Sequence, residues 1–118
     1  MIEPNYTYKA KILRAVDGDT VDADIDMGFK ITAHQRLRLA RIDTPELNSK
    51  DPVVRGKAIE AAAFTKAAVE GREVILVTTK SDLYGRYLAE VWYVDAKDGS
   101  QVNLSDKLLS LGLAAIYK

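Results

Sequence analysis

The chain has 118 residues, 47% of them hydrophobic and 29% charged, and its seventeen basic residues balance seventeen acidic ones. A length of this order suits one domain able to bury a core, while the charge balance excludes a global positive field, so a polyanion would have to be held by local clusters. The absence of cysteine excludes disulfides, thiolate metal sites and a cysteine nucleophile, which leaves oxygen and nitrogen as the ligands for any metal.

The opening "MIEPNYTYKA" has no basic stretch followed by an apolar one, and no apolar run nears the roughly 20 residues that a membrane span needs. A cytoplasmic location without membrane contact is expected. From Tyr6 to Val16 the apolar residues Tyr8, Ala10 and Ile12 alternate loosely, which predicts a strand, and "DGD" then makes a turn. Val21, Ala23, Ile25 and Met27 alternate strictly with Asp22, Asp24 and Asp26, the period of a strand with one wet face. "FKITAHQRLRLARID", Phe29 to Asp43, predicts a third strand, stopped by "TPE".

"LNSKDPVV" reads as a polar loop. "RGKAIEAAAFTKAAVEG" predicts a helix with Ala61, Phe64 and Ala68 on one face and Gly71 as its stop. "EVILVTT" and "RYLAEVWYV" predict two more strands, and a last helix runs from Leu104 to Leu111 between an Asn103 cap and Gly112. Five strands with interposed helices predict a small, mainly β, α+β domain. A five-stranded barrel is one way to remove the sheet edges, although pattern alone does not choose it over an open sheet.

Asp22, Asp24 and Asp26 stand where an EF-hand loop begins, but its sixth position is Met27 rather than glycine and its twelfth is Ala33 rather than glutamate. They read as a solvated strand face. Asp17 and Asp19 lie in the turn, where carboxylates either cap backbone N–H groups or converge on a cation. Two further polar sets, "RLRLARIDTPE" and "DLYGR", favour the second option. A hard cation wants several oxygens, which Asp19, Asp43 and the Thr44 carbonyl can supply. Glu46 is of the type that takes a proton from an attacking water, given help from its surroundings. Arg38 and Arg86 can clamp a phosphate with paired N–H donors. Singly, each arginine reads as a surface salt-bridge partner and Glu46 as a capping residue. Together they are the set a phosphodiesterase needs.

"VDGDTV", "LRLARIDTPE", "EAAAFTK" and "DLYGRYLAEV" resemble the staphylococcal nuclease (thermonuclease) family, in order, from about Lys9 to Tyr117. The resemblance implies an OB-fold, a five-stranded Greek-key barrel with about two packed helices. It also implies calcium-dependent, sugar-nonspecific hydrolysis of DNA and RNA to products with 3′-phosphates. Asp19 and Asp43 match the calcium carboxylates, Thr44 the carbonyl ligand, and Arg38, Glu46 and Arg86 the catalytic positions. Asp17 matches an acidic neighbour that acts on the metal site through a water. Tyr84 and Tyr117 match tyrosines around the bound nucleotide. Residues 1–118 are then one such domain, without the C-terminal helix of relatives, acting as a monomer on single-stranded or denatured nucleic acid.

Three departures stand out. Leu83 replaces a lysine that the family often carries beside the nucleotide tyrosine. Of the C-terminal tyrosines, Tyr117 alone remains. Arg38 and Asp43 are an odd number of residues apart, so strict alternation would put them on opposite faces unless a bulge or strong coiling intervenes. The alternative reading is a non-catalytic or truncated nucleic-acid-binding module of the same fold. Non-catalytic modules typically lose the carboxylates and arginines that this chain keeps. His34 reads as solvated or hydrogen-bonded without an obvious carboxylate partner, Trp92 as core, and Lys50, Arg55 and Lys57 as either a nucleic-acid path or a solvated loop.

Overall fold

The structure, a computed structural model, describes residues 5–81 and 87–117. Strands β1 (Thr7–Asp17), β2 (Thr20–Asp26) and β3 (Thr32–Leu39) form an antiparallel meander, followed by a two-residue strand β4 (Ile42–Asp43). Helix α1 (Pro52–Val69) leads to β5 (Glu73–Ser81) and β6 (Tyr87–Val94), then come β7 (Gln101–Asn103), helix α2 (Leu104–Ser110) and β8 (Ala115–Ile116). The sheet order is β3-β2-β1-β5-β6-β7, and a parallel pairing of β3 with β6 closes five of these strands into a barrel. The barrel expected from the resemblance is therefore present, with β7 added to β6 and a separate β4–β8 pair.

The alternation of the strands fills the barrel. Ile12, Val21, Ala23, Leu37, Leu39, Leu76, Ala89 and Val91 point inward and are fully buried, and Leu104 and Leu108 of α2 join the same core. Asp22, Asp24 and Asp26 do lie on the outer face of β2, and two of them meet side chains of β3 there. Asp22 accepts from Arg36 at 2.8 and 3.2 Å, and Asp24 meets His34 Nδ1 at 2.8 Å. His34 thus has a carboxylate partner that the sequence hid, because the pairing of Asp24 with His34 comes from register rather than from a local motif.

Trp92 corrects its expected place. It faces outward on β6, 39% exposed, between its sheet neighbours Ile75 and Asn103. The inward positions of that strand are Ala89, Val91 and Tyr93.

Helix α1 starts three residues earlier than its alanine-rich core suggests. Asp51 caps it by accepting from the Val53 N–H, and Pro52 occupies the first turn, where a missing N–H costs nothing. Its buried stripe is Ala58, Ala61, Thr65 and Val69, with Phe64 and Ala68 only partly buried. Small residues let this face lie close to the end of β1. After the helix, Gly71 takes a φ of 76° and donates to the Ile12 carbonyl at 2.7 Å, which ties the helix end to the same strand.

Candidate active site

The third strand does not run unbroken to Asp43. It ends at Leu39, and Arg41 turns the chain with a φ of 72°, a left-handed conformation that costs a side-chain-bearing residue about 1 to 2 kcal/mol. The turn resolves the parity problem. Arg38 donates through one terminal nitrogen to Asp19 at 3.3 Å and through the other to Asp43 at 3.0 Å and to the Ile42 carbonyl at 3.2 Å. Sequence reasoning required an irregularity between these residues, and this is where it falls.

Arg38 is itself held from both sides, paired with Thr20 of β2 and Leu88 of β6. Its guanidinium is only 8% exposed as a residue, and the Tyr117 ring lies over it with 5.1 Å from the guanidinium carbon to the ring centre. A cation over a ring face is attracted by the ring quadrupole.

The carboxylate side comes from the hairpin turn between β1 and β2. Register shifts in β1 between Ile12 and Arg14 and between Ala15 and Asp17 bend the strand end, and Glu70 of the helix end accepts from the Ala15 N–H at 3.1 Å. Asp17 accepts from the Asp19 N–H at 3.1 Å, a local turn contact. Asp19 then points inward, where its Oδ2 accepts from the Thr44 N–H at 3.0 Å and its Oδ1 from the Thr20 hydroxyl at 3.1 Å. One carboxylate therefore joins the turn, the Arg38 strand and the segment after β4.

The turn is wedged from below. Gly18 is buried, and its carbonyl accepts from the fully buried Thr65 hydroxyl of α1 at 2.8 Å. Thr65, Gly18, Thr20 and Arg41 were not singled out by sequence reasoning. A polar residue on the small-residue stripe of α1 was the available signal for Thr65.

Burial pushes the Asp17 carboxyl up to about 6, assisted by the facing Asp19. Burial acts the same way on Asp19, but contacts to Asp17, the Thr44 N–H, the Arg38 charge and the Thr20 hydroxyl outweigh it and hold that carboxyl below its usual range. Between its ordinary value of 3.8 and about 6, Asp17 binds a proton more readily in the folded than in the unfolded chain. Stability contributed by this group therefore falls as pH rises through that window. In EDTA, Asp17→Asn should raise the melting temperature at neutral pH and leave it unchanged below about pH 3.8, as read by scanning calorimetry. Equal shifts at both pH values would refute the assignment.

Of the residues expected at the site, Asp17, Asp19, Arg38, Asp43, Thr44 and Tyr117 come together. Glu46 is exposed, and its carboxylate makes no hydrogen bond or ion pair with another described residue. Tyr84 and Arg86, with Leu83, lie outside the described residues. Among the described residues no group of three or more His, Asp or Glu side chains gathers as a metal cluster. Asp19, Asp43 and Thr44 nevertheless form an all-oxygen set of the kind hard cations take, completed by waters or substrate. The residues fit a hard divalent ion.

Comparison with known proteins agrees with this geometry. The sequence model of the family described as "Staphylococcal nuclease homologue" matches residues 36–118. The chain is 36% identical to a thermonuclease of Staphylococcus hyicus over 88% of its own length and 56% of that protein. It is 35% identical to a thermonuclease of Staphylococcus intermedius over 71% of its own length and 48% of that protein. It is also 26% identical to an uncharacterized protein of Methanocaldococcus jannaschii over 98% and 62% of the two lengths. The chain thus spans about half the length of the curated relatives it matches. With its closed barrel, its Arg38 fork between Asp19 and Asp43 and this match over most of its length, the chain belongs to the staphylococcal nuclease family.

Proposed function

We propose that this chain hydrolyses phosphodiester bonds of DNA and RNA as a calcium-dependent, sugar-nonspecific nuclease that leaves 3′-phosphates. The observation that carries the reading is the buried Arg38 fork, which spans two carboxylates from different segments at 3.3 and 3.0 Å beside Thr44. The relatives named thermonuclease support the same class of chemistry.

Asp19, Asp43 and the Thr44 carbonyl would hold the ion, which when bound supplies positive charge against a phosphate oxygen. Arg38 already stands with its donors aligned, so part of the ordering cost is met before substrate arrives. Asp43 is the more open of its two carboxylate partners, its side chain 58% exposed against 10% for Asp19. A phosphate oxygen can therefore replace Asp43 on the guanidinium while Asp19 keeps its grip. Charge growing on the phosphate in the transition state is met by donors fixed in a poorly hydrated place, where they stabilise it most. Glu46, exposed and with its carboxylate unpaired among the described residues, takes the proton of the attacking water. By resemblance, Arg86 also clamps the phosphate and Tyr84 contacts the nucleotide. The exposed Tyr117 offers a face to a base, which suits single-stranded or denatured substrate.

The test is digestion of denatured DNA by purified protein in calcium, magnesium and EDTA, with Asp43→Ala alongside. Cleavage is expected in calcium, with none in EDTA and a loss of about 100-fold or more in the variant, since losing a ligand should exceed the loss of a supporting partner. A folded protein that binds the DNA without cutting it under any condition would replace this reading with a non-catalytic binding module.

A further inference from the structure

We infer that Arg41 is a positioning residue, whose guanidinium, tied to Glu90 and Asp106, holds the bend that brings Asp43 and Tyr117 to Arg38. The Arg41 side chain bonds to Glu90, Asn103 and Asp106 and not to Asp19 or Asp43, so its effect must pass through the backbone. The bend is unusual for its residue type. A left-handed φ of 72° suits glycine or asparagine, and an arginine there needs compensation from its surroundings.

Two carboxylates supply that compensation. Arg41 Nε donates to both Glu90 oxygens at 2.9 and 3.0 Å, and its Nη2 donates to Glu90 at 2.6 Å and meets Asp106 at 2.9 Å. Glu90 sits on β6, within the barrel wall, with only 19% of its side chain exposed. Asp106 lies in the first turn of α2, whose cap Asn103 also reaches the Arg41 Nη2 at 3.4 Å. A planar fork can meet both carboxylates at once, whereas a lysine could offer only a point charge.

The flanking backbone is pinned as well. The Ala40 N–H donates to the Ala89 carbonyl at 2.9 Å, and the Ala40 carbonyl accepts from the buried Ser105 hydroxyl at 2.9 Å. On the far side of the bend, the Arg41 carbonyl accepts from the Tyr117 N–H at 2.9 Å, next to the pairing of Ile42 with Ile116 and of Asp43 with Ala115. The same residue therefore aims Asp43 at Arg38 and seats the tyrosine that covers it. This role rests on the nuclease reading for its effect on turnover, but not for its effect on Arg38.

The experiment uses the full chain with Arg41→Met, which keeps an apolar stem and drops the ion pairs, and with Arg41→Gly and Glu90→Gln. The first readout is the Arg38 side-chain N–H resonance in the free protein, assigned by its loss in Arg38→Lys. The Tyr117 ring should displace it, as checked by Tyr117→Leu. The second is the split between kcat and KM on denatured DNA. Arg41→Met and Glu90→Gln should return the Arg38 signal toward its ordinary position and lower kcat by about 10- to 100-fold, with little change in KM, because a small misplacement of a catalytic group is costly. Arg41→Gly tolerates the left-handed bend and should fold even if Arg41→Met does not, with an unpinned loop and the same loss. Variants that keep the Arg38 signal and a kcat within twofold of wild type would overturn the inference. If the wild type cuts nothing, the nuclease reading fails separately, and the Arg38 signal alone decides the role of Arg41.

Discussion

Arg38→Ala is expected to lower turnover on denatured DNA by about 1,000-fold or more, the range seen when donors fixed against transition-state charge are removed. The residue is buried, donates to Asp19, Asp43 and the Ile42 carbonyl, and lies under Tyr117, so its guanidinium is fixed at the site from several sides. Stability should fall too. Asp19 is 7% exposed and would keep the Thr44 N–H, the Thr20 hydroxyl and its contact with Asp17 but no cation, and breaking a buried pair from one side costs up to roughly 3 to 5 kcal/mol. The openness of Asp43 to water places the expected loss at the low end. Arg38→Lys separates the two effects. One ammonium can neutralise Asp19 but cannot span both carboxylates, so stability should recover while most of the activity stays lost. Steady-state kinetics with urea unfolding of each variant checks both. An alanine variant keeping a tenth of wild-type turnover would remove Arg38 from the chemistry.

Gly18→Ala is the second large expectation. A Cβ at that position would stand 2.8 Å from the Ala61 Cβ and 3.0 Å from two side-chain atoms of Thr44. Neither neighbour is the free end of a flexible chain, since Ala61 is on the packed face of α1 and Thr44 is held by Asp19. Either the helix or the turn must move. Overpacking of this kind costs about 1 to 3 kcal/mol, which for a domain of this size is on the order of 5 to 15 °C in melting temperature. Movement of the turn also carries Asp19 away from Thr44 and Arg38, so activity should drop further than stability alone would explain. Adding Ala61→Gly should return part of both, less the roughly 1 kcal/mol that glycine costs a helix. If Gly18→Ala melts like the wild type, the wedge between helix and turn is not as tight as described.

Much of the barrel was readable because its strands alternate strictly, as Val21 to Ile25 do, and because Asn103 and Gly112 bracket α2 with ordinary helix signals. Closure was not readable from alternation, since the parallel contact of Leu37 to Leu39 with Tyr87 to Ala89 leaves no local trace. It came with the resemblance. The carboxylates and arginine were legible as a set because three separated polar clusters shared one chemistry. Their supports were not. Thr65 looks like any threonine among alanines, and Arg41 like one more basic residue in "RLRLARID". Their roles come from a helix lying against a turn and from a backbone angle, and neither is a property of residue type. Trp92 was misplaced for a related reason, because a tryptophan in an apolar strand gives no sign of which face it takes.

The seam that closes the barrel joins positions fifty residues apart in the chain, and Arg38 occupies its middle pair. The three-strand meander pairs near neighbours in sequence, whereas this contact closes a loop of fifty residues and needs β6, so its formation carries a larger loop-closure cost. The contacts of Arg38 to Asp19, Asp43 and the Ile42 carbonyl all lie within the first 43 residues, and the seam adds a second backbone clamp that holds the arginine from the far rim of the sheet.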